Sequence, residues 1–258
     1  MREIVTDLKA EHEVLDQLLV MLKEEDWGLL TPAEGWTIRD SVSHVAYFDE
    51  VSTSLIRGDT SIEEEKARLG SGADRMDTQR GENMKPPEVL LWWRKVRAIM
   101  LEELIQCDPK QRIPWFAMPM GARSFATARL METWAHGLDC FAAVGAEPVD
   151  TDRLQHVALL AYLARPWAYQ VNGLAMPQTH LRLELQLPSG TLCSHGPENA
   201  RDVIRGHASD FCRVAVRRRH WRDTDLVIEG DEAKRFVQIA QAYAGSPGSG
   251  RKPKRPLA

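Results

Sequence analysis

The stretch Leu130-Met131-Glu132-Thr133-Trp134-Ala135-His136-Gly137-Leu138-Asp139 reads as helix and sets Glu132 and His136 four residues apart. Residues at i and i+4 lie one above the other on one helical face, so a carboxylate and an imidazole here can share one metal ion. Two ligands make a weak site, and a third has to come from another segment. The candidate is His44, in Trp36-Thr37-Ile38-Arg39-Asp40-Ser41-Val42-Ser43-His44. The chain is therefore read as a helical bundle with a metal centre of His44, Glu132 and His136 between two of its helices. An E-x-x-x-H pair also occurs as an ordinary surface pair on helices, so convergence with His44 is what distinguishes a site.

Outward from that stretch, apolar residues mark the other helices. Ile4, Val5, Leu8, Leu15, Leu18, Leu19 and Leu22 form one stripe over residues 2–24. His12 points along it, either as a fourth ligand or proton carrier or as a core-edge histidine with a hydrogen bond. Thr37 starts a second helix with a capping-box pattern in which Asp40 stands in for Glu. Ile38, Val42, Val45, Phe48 and Leu55 mark its buried face, and His44 lies at the margin. Residues 58–86 are polar and rich in glycine, and they read as a lid or binding loop with one short charged helix over 62–69. A third long helix is expected over 87–106, with Pro87 in its first turn. Residues 113–121 are apolar and aromatic but carry two prolines, which exclude a regular helix. This loop either lines a pocket or is a packed connector. The fourth helix is expected over 124–144. A fifth spans 154–169, where Pro166 kinks or ends it.

Beyond residue 172 the period changes. Leu181, Leu183, Leu185 and Leu187 alternate with Arg182, Glu184 and Gln186, which predicts a strand. A turn and a short partner strand over 191–193 follow, then a helix over 206–217, a strand over 226–229 and a last helix over 231–243. The expected organisation is mainly α: a four-helix bundle domain over 1–172, a small α+β C-terminal domain over 173–244, and a disordered tail over 245–258.

Composition bounds the function. A formal net charge of -4 gives no reason to expect a nucleic-acid partner. The dense basic clusters, Arg217-Arg218-Arg219 and Arg251-Lys252-Pro253-Lys254-Arg255, read first as solvated. No apolar run is long enough for a membrane span, and the N-terminus lacks a secretory h-region. Cys107, Cys140, Cys193 and Cys212 are widely spaced, which argues against a disulfide framework and a cysteine zinc site. A cytoplasmic protein, monomer or homodimer, is expected. No G-x-S-x-G, P-loop or G-x-G-x-x-G occurs, and the pair is not H-E-x-x-H.

Two histidines and a carboxylate suit zinc, iron, nickel or cobalt by ligand type, and zinc is the first expectation, with nickel or iron next. Three protein ligands leave positions open for water or substrate, the pattern of catalytic metals. Asp139 is placed to support His136. Arg129 either orients Glu132 or faces solvent. Cys140, four after His136, is an active-site thiol or a buried small residue.

Gly35-Trp36-Thr37-Ile38-Arg39-Asp40 with His44, together with Glu132, His136 and Asp139, resembles the DinB-like metal-binding superfamily. More narrowly, it is similar to the mycothiol-dependent maleylpyruvate isomerase group. The resemblance implies an N-terminal four-helix bundle, a divalent metal on His44, Glu132 and His136, and a smaller α+β domain. It also implies a low-molecular-weight thiol as co-substrate, bound to the metal as thiolate and directed at a small electrophilic or acidic substrate. An arginine of the C-terminal domain is implicated in catalysis in that group; Arg218 matches its spacing, with Arg217 and Arg219 competing for the role. A thiol transferase or isomerase is thus the leading expectation. A metal-dependent hydrolase using bound hydroxide, or a non-catalytic metal-binding or regulatory protein, are the alternatives.

Overall fold

A computed structural model describes residues 1–70, 76–248 and 250–254. Its first unit, Met1–Pro148, is built on four long helices: α1 (Arg2–Met21), α2 (Ile38–Arg57), α5 (Pro86–Gln106) and α6 (Ala122–Ala143), with short helices α3 (Ile62–Leu69) and α4 (Met76–Glu82) between α2 and α5. The long helices neighbour one another in a closed ring, α1 to α6, α6 to α2, α2 to α5 and α5 to α1. Each apolar stripe therefore finds two partners, the condition for a helix bundle core. Leu15, Leu19, Ile38, Val42, Val45, Val89, Trp93 and Val96 meet in that core.

Local signals set the starts of two of these helices. At α2, the Thr37 hydroxyl accepts from the Asp40 backbone N–H at 3.2 Å, and Asp40 Oδ2 accepts from the Thr37 N–H at 2.8 Å. The capping box thus works with the shorter carboxylate. At α5 the helix opens with Pro86 and Pro87 in its first turn. Two elements depart from the expectation. Residues 76–82 form the helix α4, which no hydrophobic period announces. The segment expected as a loop over 113–121 is, with Arg112, a hairpin of two short arms, β1 (Arg112–Ile113) and β2 (Met120–Gly121). Of the 58–86 segment, residues 71–75 lie outside the described residues.

The second unit, Val149–Ala258, contains α7 (Leu154–Leu163), α8 (Arg165–Val171), β3 (Leu181–Gln186), β4 (Leu192–His195), β5 (Asp202–His207), α9 (Ala208–Ala215), β6 (Val227–Glu229) and α10 (Asp231–Ile239). Its sheet has the order β4-β3-β5-β6, with β3 parallel to β5 and the other pairs antiparallel. Leu181, Leu183 and Leu185 are fully buried while Arg182 and Glu184 are partly exposed, the alternation that the sequence predicts. The division falls before α7, not at residue 172. The reason is local: α7 packs on α9, Cys212 Sγ donates to the Leu154 carbonyl at 3.5 Å, and Arg213 pairs with Asp150 at 2.6 Å. The single helix expected over 154–169 is two, because Pro166 in the first turn of α8 cannot continue the hydrogen bonding of α7. The helix expected from Gly206 begins at Ala208, and the residues before it are strand β5.

The described tail residues form no helix or strand, but they are not detached. The Lys254 N–H donates to both Asp223 oxygens at 2.9 and 3.0 Å, and Gln241 Nε2 donates to the Gly245 carbonyl at 3.0 Å. Residues 249 and 255–258 lie outside the described residues. Among the described residues, no helix is long and apolar enough to cross a membrane.

Candidate metal centre

Helix α6 presents Glu132 and His136 on one face, and α2, its neighbour in the ring, presents His44. One donor atom from each of the three lies within 4.8 Å of the others. His136 Nε2 stands 3.6 Å from Glu132 Oε2. Two ligands of a tetrahedral ion with bonds of about 2.1 Å are separated by roughly 3.4 Å, so this spacing fits a shared cation. The donor set, two imidazoles and a carboxylate, also fits a borderline divalent metal. Among the described residues, His12 is not part of the cluster.

The surroundings hold these side chains in place. Trp36 stacks on His136 at 5.6 Å between ring centroids and meets His44 edge-on at 5.1 Å. Phe48, one turn after His44 on α2, packs edge-on against it at 4.7 Å. Trp115 and Phe116 of the hairpin loop pack on Phe48 at 5.9 and 5.6 Å. The loop over 113–121 thus backs the site through Phe48.

His44 Nδ1 is 2.5 Å from Asp77 Oδ2, a contact supplied by α4. With Asp77 ionised, Nδ1 carries the proton and donates it to the carboxylate, which leaves Nε2 with the lone pair a metal needs. Burial raises the Asp77 carboxyl, but its contact with His44 outweighs this and holds it below the ordinary value. Burial acts the same way on Glu132, and is overcome by contact with His136 and by positive charge at His136, His44 and Arg129. Its carboxyl is held at about 2 and is ionised at any working pH.

Other expectations are redistributed. Asp139 is buried with Oδ2 4.0 Å from His136 Nδ1, within ion-pair reach. Arg129 does not face solvent. It is 1% exposed and turns to α2, where Nε and Nη2 donate to Asp49 Oδ1 at 3.1 and 2.9 Å. Trp93 Nε1 donates to Asp49 Oδ2 at 3.2 Å. His12 Nε2 lies 3.9 Å from that same oxygen, and among the described residues neither of its ring nitrogens is hydrogen-bonded. Burial, with Arg97 and Arg129 nearby, pushes the His12 pKa well below its usual value, so the ring is neutral. Cys140 is buried in the bundle core, and burial pushes its thiol up, which makes it a packing residue and not a thiolate. Arg218, in the second unit, donates from Nη1 to the Val216 carbonyl at 2.8 Å.

Asp77 is the residue that sequence reasoning missed. It sits in a polar segment without period, and only the packing of α4 on α2 brings it to His44. That packing depends on Gly81. A Cβ there would lie 1.8 Å from Ser43 Oγ and 2.7 Å from Ser43 Cβ, so any larger residue forces the two helices apart. Gly81→Ala is expected to draw Asp77 off His44 and to weaken metal binding by about 10–100-fold, as Asp77→Asn does directly. Competition titration with a chromophoric chelator measures both, and wild-type affinity in Asp77→Asn would remove the supporting role.

The family model for the mycothiol maleylpyruvate isomerase N-terminal domain matches residues 8–141, and the chain belongs to this family. Over 250 residues it is 39% identical to uncharacterized proteins of Mycobacterium tuberculosis strains CDC 1551 / Oshkosh and ATCC 25618 / H37Rv, covering 96% of this chain and 97% of theirs. Crystal structures of the mycothiol-dependent maleylpyruvate isomerase and of a histidine-to-alanine mutant share the fold. The mutant gives a TM-score of 0.59 at 20% identity, covering 84% of this chain and 89% of its own; the other gives 0.57 at 19%.

Proposed function

We propose that this protein is a metal-dependent enzyme that uses a low-molecular-weight thiol of the mycothiol type to transfer a group to, or isomerise, a small electrophilic or acidic substrate. The observation that carries the reading is the convergence of His44, Glu132 and His136 from two neighbouring helices, in a chain of this family. These three residues would hold the ion; two imidazoles and a carboxylate suit zinc, nickel or iron, and zinc is the first choice to test. When bound, the ion favours the thiolate form of a thiol ligand at neutral pH. The chain's own residues do the rest. Asp77 keeps the His44 proton on Nδ1, Glu132 supplies a permanent negative charge, and Trp36 and Phe48 fix the planes of the two imidazoles. Arg218 is assigned, on the family resemblance, to the acidic end of the substrate.

The test is turnover of maleylpyruvate by the zinc-loaded protein with and without mycothiol. Turnover that requires the thiol and disappears in His44→Ala is the expected result. Thiol-independent hydrolysis of an ester or amide panel would replace this reading with a hydroxide mechanism. Metal binding without turnover of either kind would leave a non-catalytic metal protein.

A further inference from the structure

The two basic clusters that read as solvated in the sequence come together in the second unit. A cavity of about 390 Å³ is lined by Arg217, Arg219, Arg222, His220 and Trp221 and by Gly250, Arg251 and Pro253 of the tail. Four arginines line one space, with no carboxylate among the described lining residues. The nearby acids offset part of this charge. Asp210 pairs with Arg219 at 2.5 Å, and Asp223 accepts the Lys254 N–H. His220 Nδ1 accepts the Arg222 N–H at 3.1 Å, so in the neutral ring Nε2 carries the proton and is a donor. The Arg222 guanidinium lies over the Trp221 ring at 5.1 Å.

The backbone at Arg217 is the second, independent observation. Helix α9 ends in a Schellman motif: the Arg217 N–H donates to the Val214 carbonyl at 3.0 Å and the Arg218 N–H to the Arg213 carbonyl at 2.8 Å. Such a motif requires a left-handed residue, which is usually glycine. Here it is Arg217, at φ 61, the one non-glycine residue with positive φ among the described residues. Its Nη1 donates to the Gln238 carbonyl at 2.9 Å, while its buried Nε has no hydrogen-bond partner among the described residues. A strained position held by an arginine, with donor capacity left over beside a cationic cavity, points to use of the guanidinium.

We infer that this cavity is an anion-binding site and that its ligand is a small phosphate monoester. A phosphate carries close to two charges and three acceptor oxygens, enough to engage several guanidinium forks at once. A carboxylate offers one charge and two oxygens. The volume lies within the range of small-molecule sites and leaves room for an organic body beside the phosphate.

The experiment is isothermal titration of the full-length protein with phenyl phosphate, inorganic phosphate and succinate at constant ionic strength, on wild type, Arg217→Gly and Arg222→Gln. Glycine suits the left-handed position, so Arg217→Gly keeps or raises the melting temperature while removing the guanidinium. Saturable phenyl phosphate binding, at least about tenfold tighter than succinate and weakened about tenfold or more in each variant, is the expected result. Tighter binding of phenyl phosphate than of inorganic phosphate would support the monoester, and equal binding would overturn it in favour of the free ion. No saturable binding, equal binding of succinate, or unchanged affinity in Arg217→Gly would each overturn the assignment.

Discussion

After zinc loading and dialysis, the wild-type protein is expected to retain about one equivalent of metal and a His44→Ala/His136→Ala variant none. The size of the effect follows from the geometry. Removing both imidazoles leaves Glu132 as a lone carboxylate, and the chelate that joins α2 to α6 is gone. Binding to the folded state also stabilises it, by about 2.7 kcal/mol when free metal exceeds the dissociation constant a hundredfold. Added zinc should therefore raise the melting temperature of the wild type and leave the double variant unmoved. Elemental analysis and a thermal scan read the two consequences separately. A wild type that takes up neither zinc, nickel nor iron would remove the centre and the enzyme reading with it.

Arg129→Met should cost stability heavily. Asp49 is fully buried, and its carboxyl is already raised by burial even with Arg129 beside it. Taking away one partner of a buried ion pair costs about 3–5 kcal/mol, a large part of the roughly 5–15 kcal/mol that holds a typical domain together. The pH dependence separates this cause from a packing defect. Without Arg129, Asp49 keeps its proton in the folded variant, whereas in the unfolded chain it loses it above about pH 3.9. The folded state then binds the extra proton, so the deficit is small near pH 4 and grows as the pH rises, up to the raised pKa. Chemical denaturation across that range measures it. A deficit that does not change with pH would assign the loss to the missing side-chain volume, and Arg129→Met/Asp49→Asn should recover part of the loss.

The features legible in the amino-acid sequence are the ones with short-range causes. The capping box at Thr37, the stripe on α1 and the alternation in β3 are local patterns, and local patterns survive folding. His44, Glu132 and His136 are legible because two share a helical face and the third sits behind a recognisable motif. Asp77 is not, since its contact with His44 depends on how closely Gly81 lets α4 approach, and no periodicity encodes that distance. Arg129 misleads for a related reason: a charged residue on a helix suggests solvent until its partner, Asp49 on another helix, is known. Strand β5 escapes because its short run ends in Gly206 and His207, which read as the start of the helix that follows.

The ring of helices has a bearing on how the site comes into being. Its donors lie on α2 and α6, adjacent in space but separated along the chain by two short helices, all of α5 and the β1–β2 hairpin. In the unfolded chain only the Glu132–His136 pair is close enough to touch an ion, and such a pair holds it weakly. Closing the three-point grip requires the long intervening loop to be traversed first, and that entropy is met by helix packing, not by the ion. The metal should therefore be a late arrival in folding, acting as a brake on unfolding and contributing little to the speed of assembly.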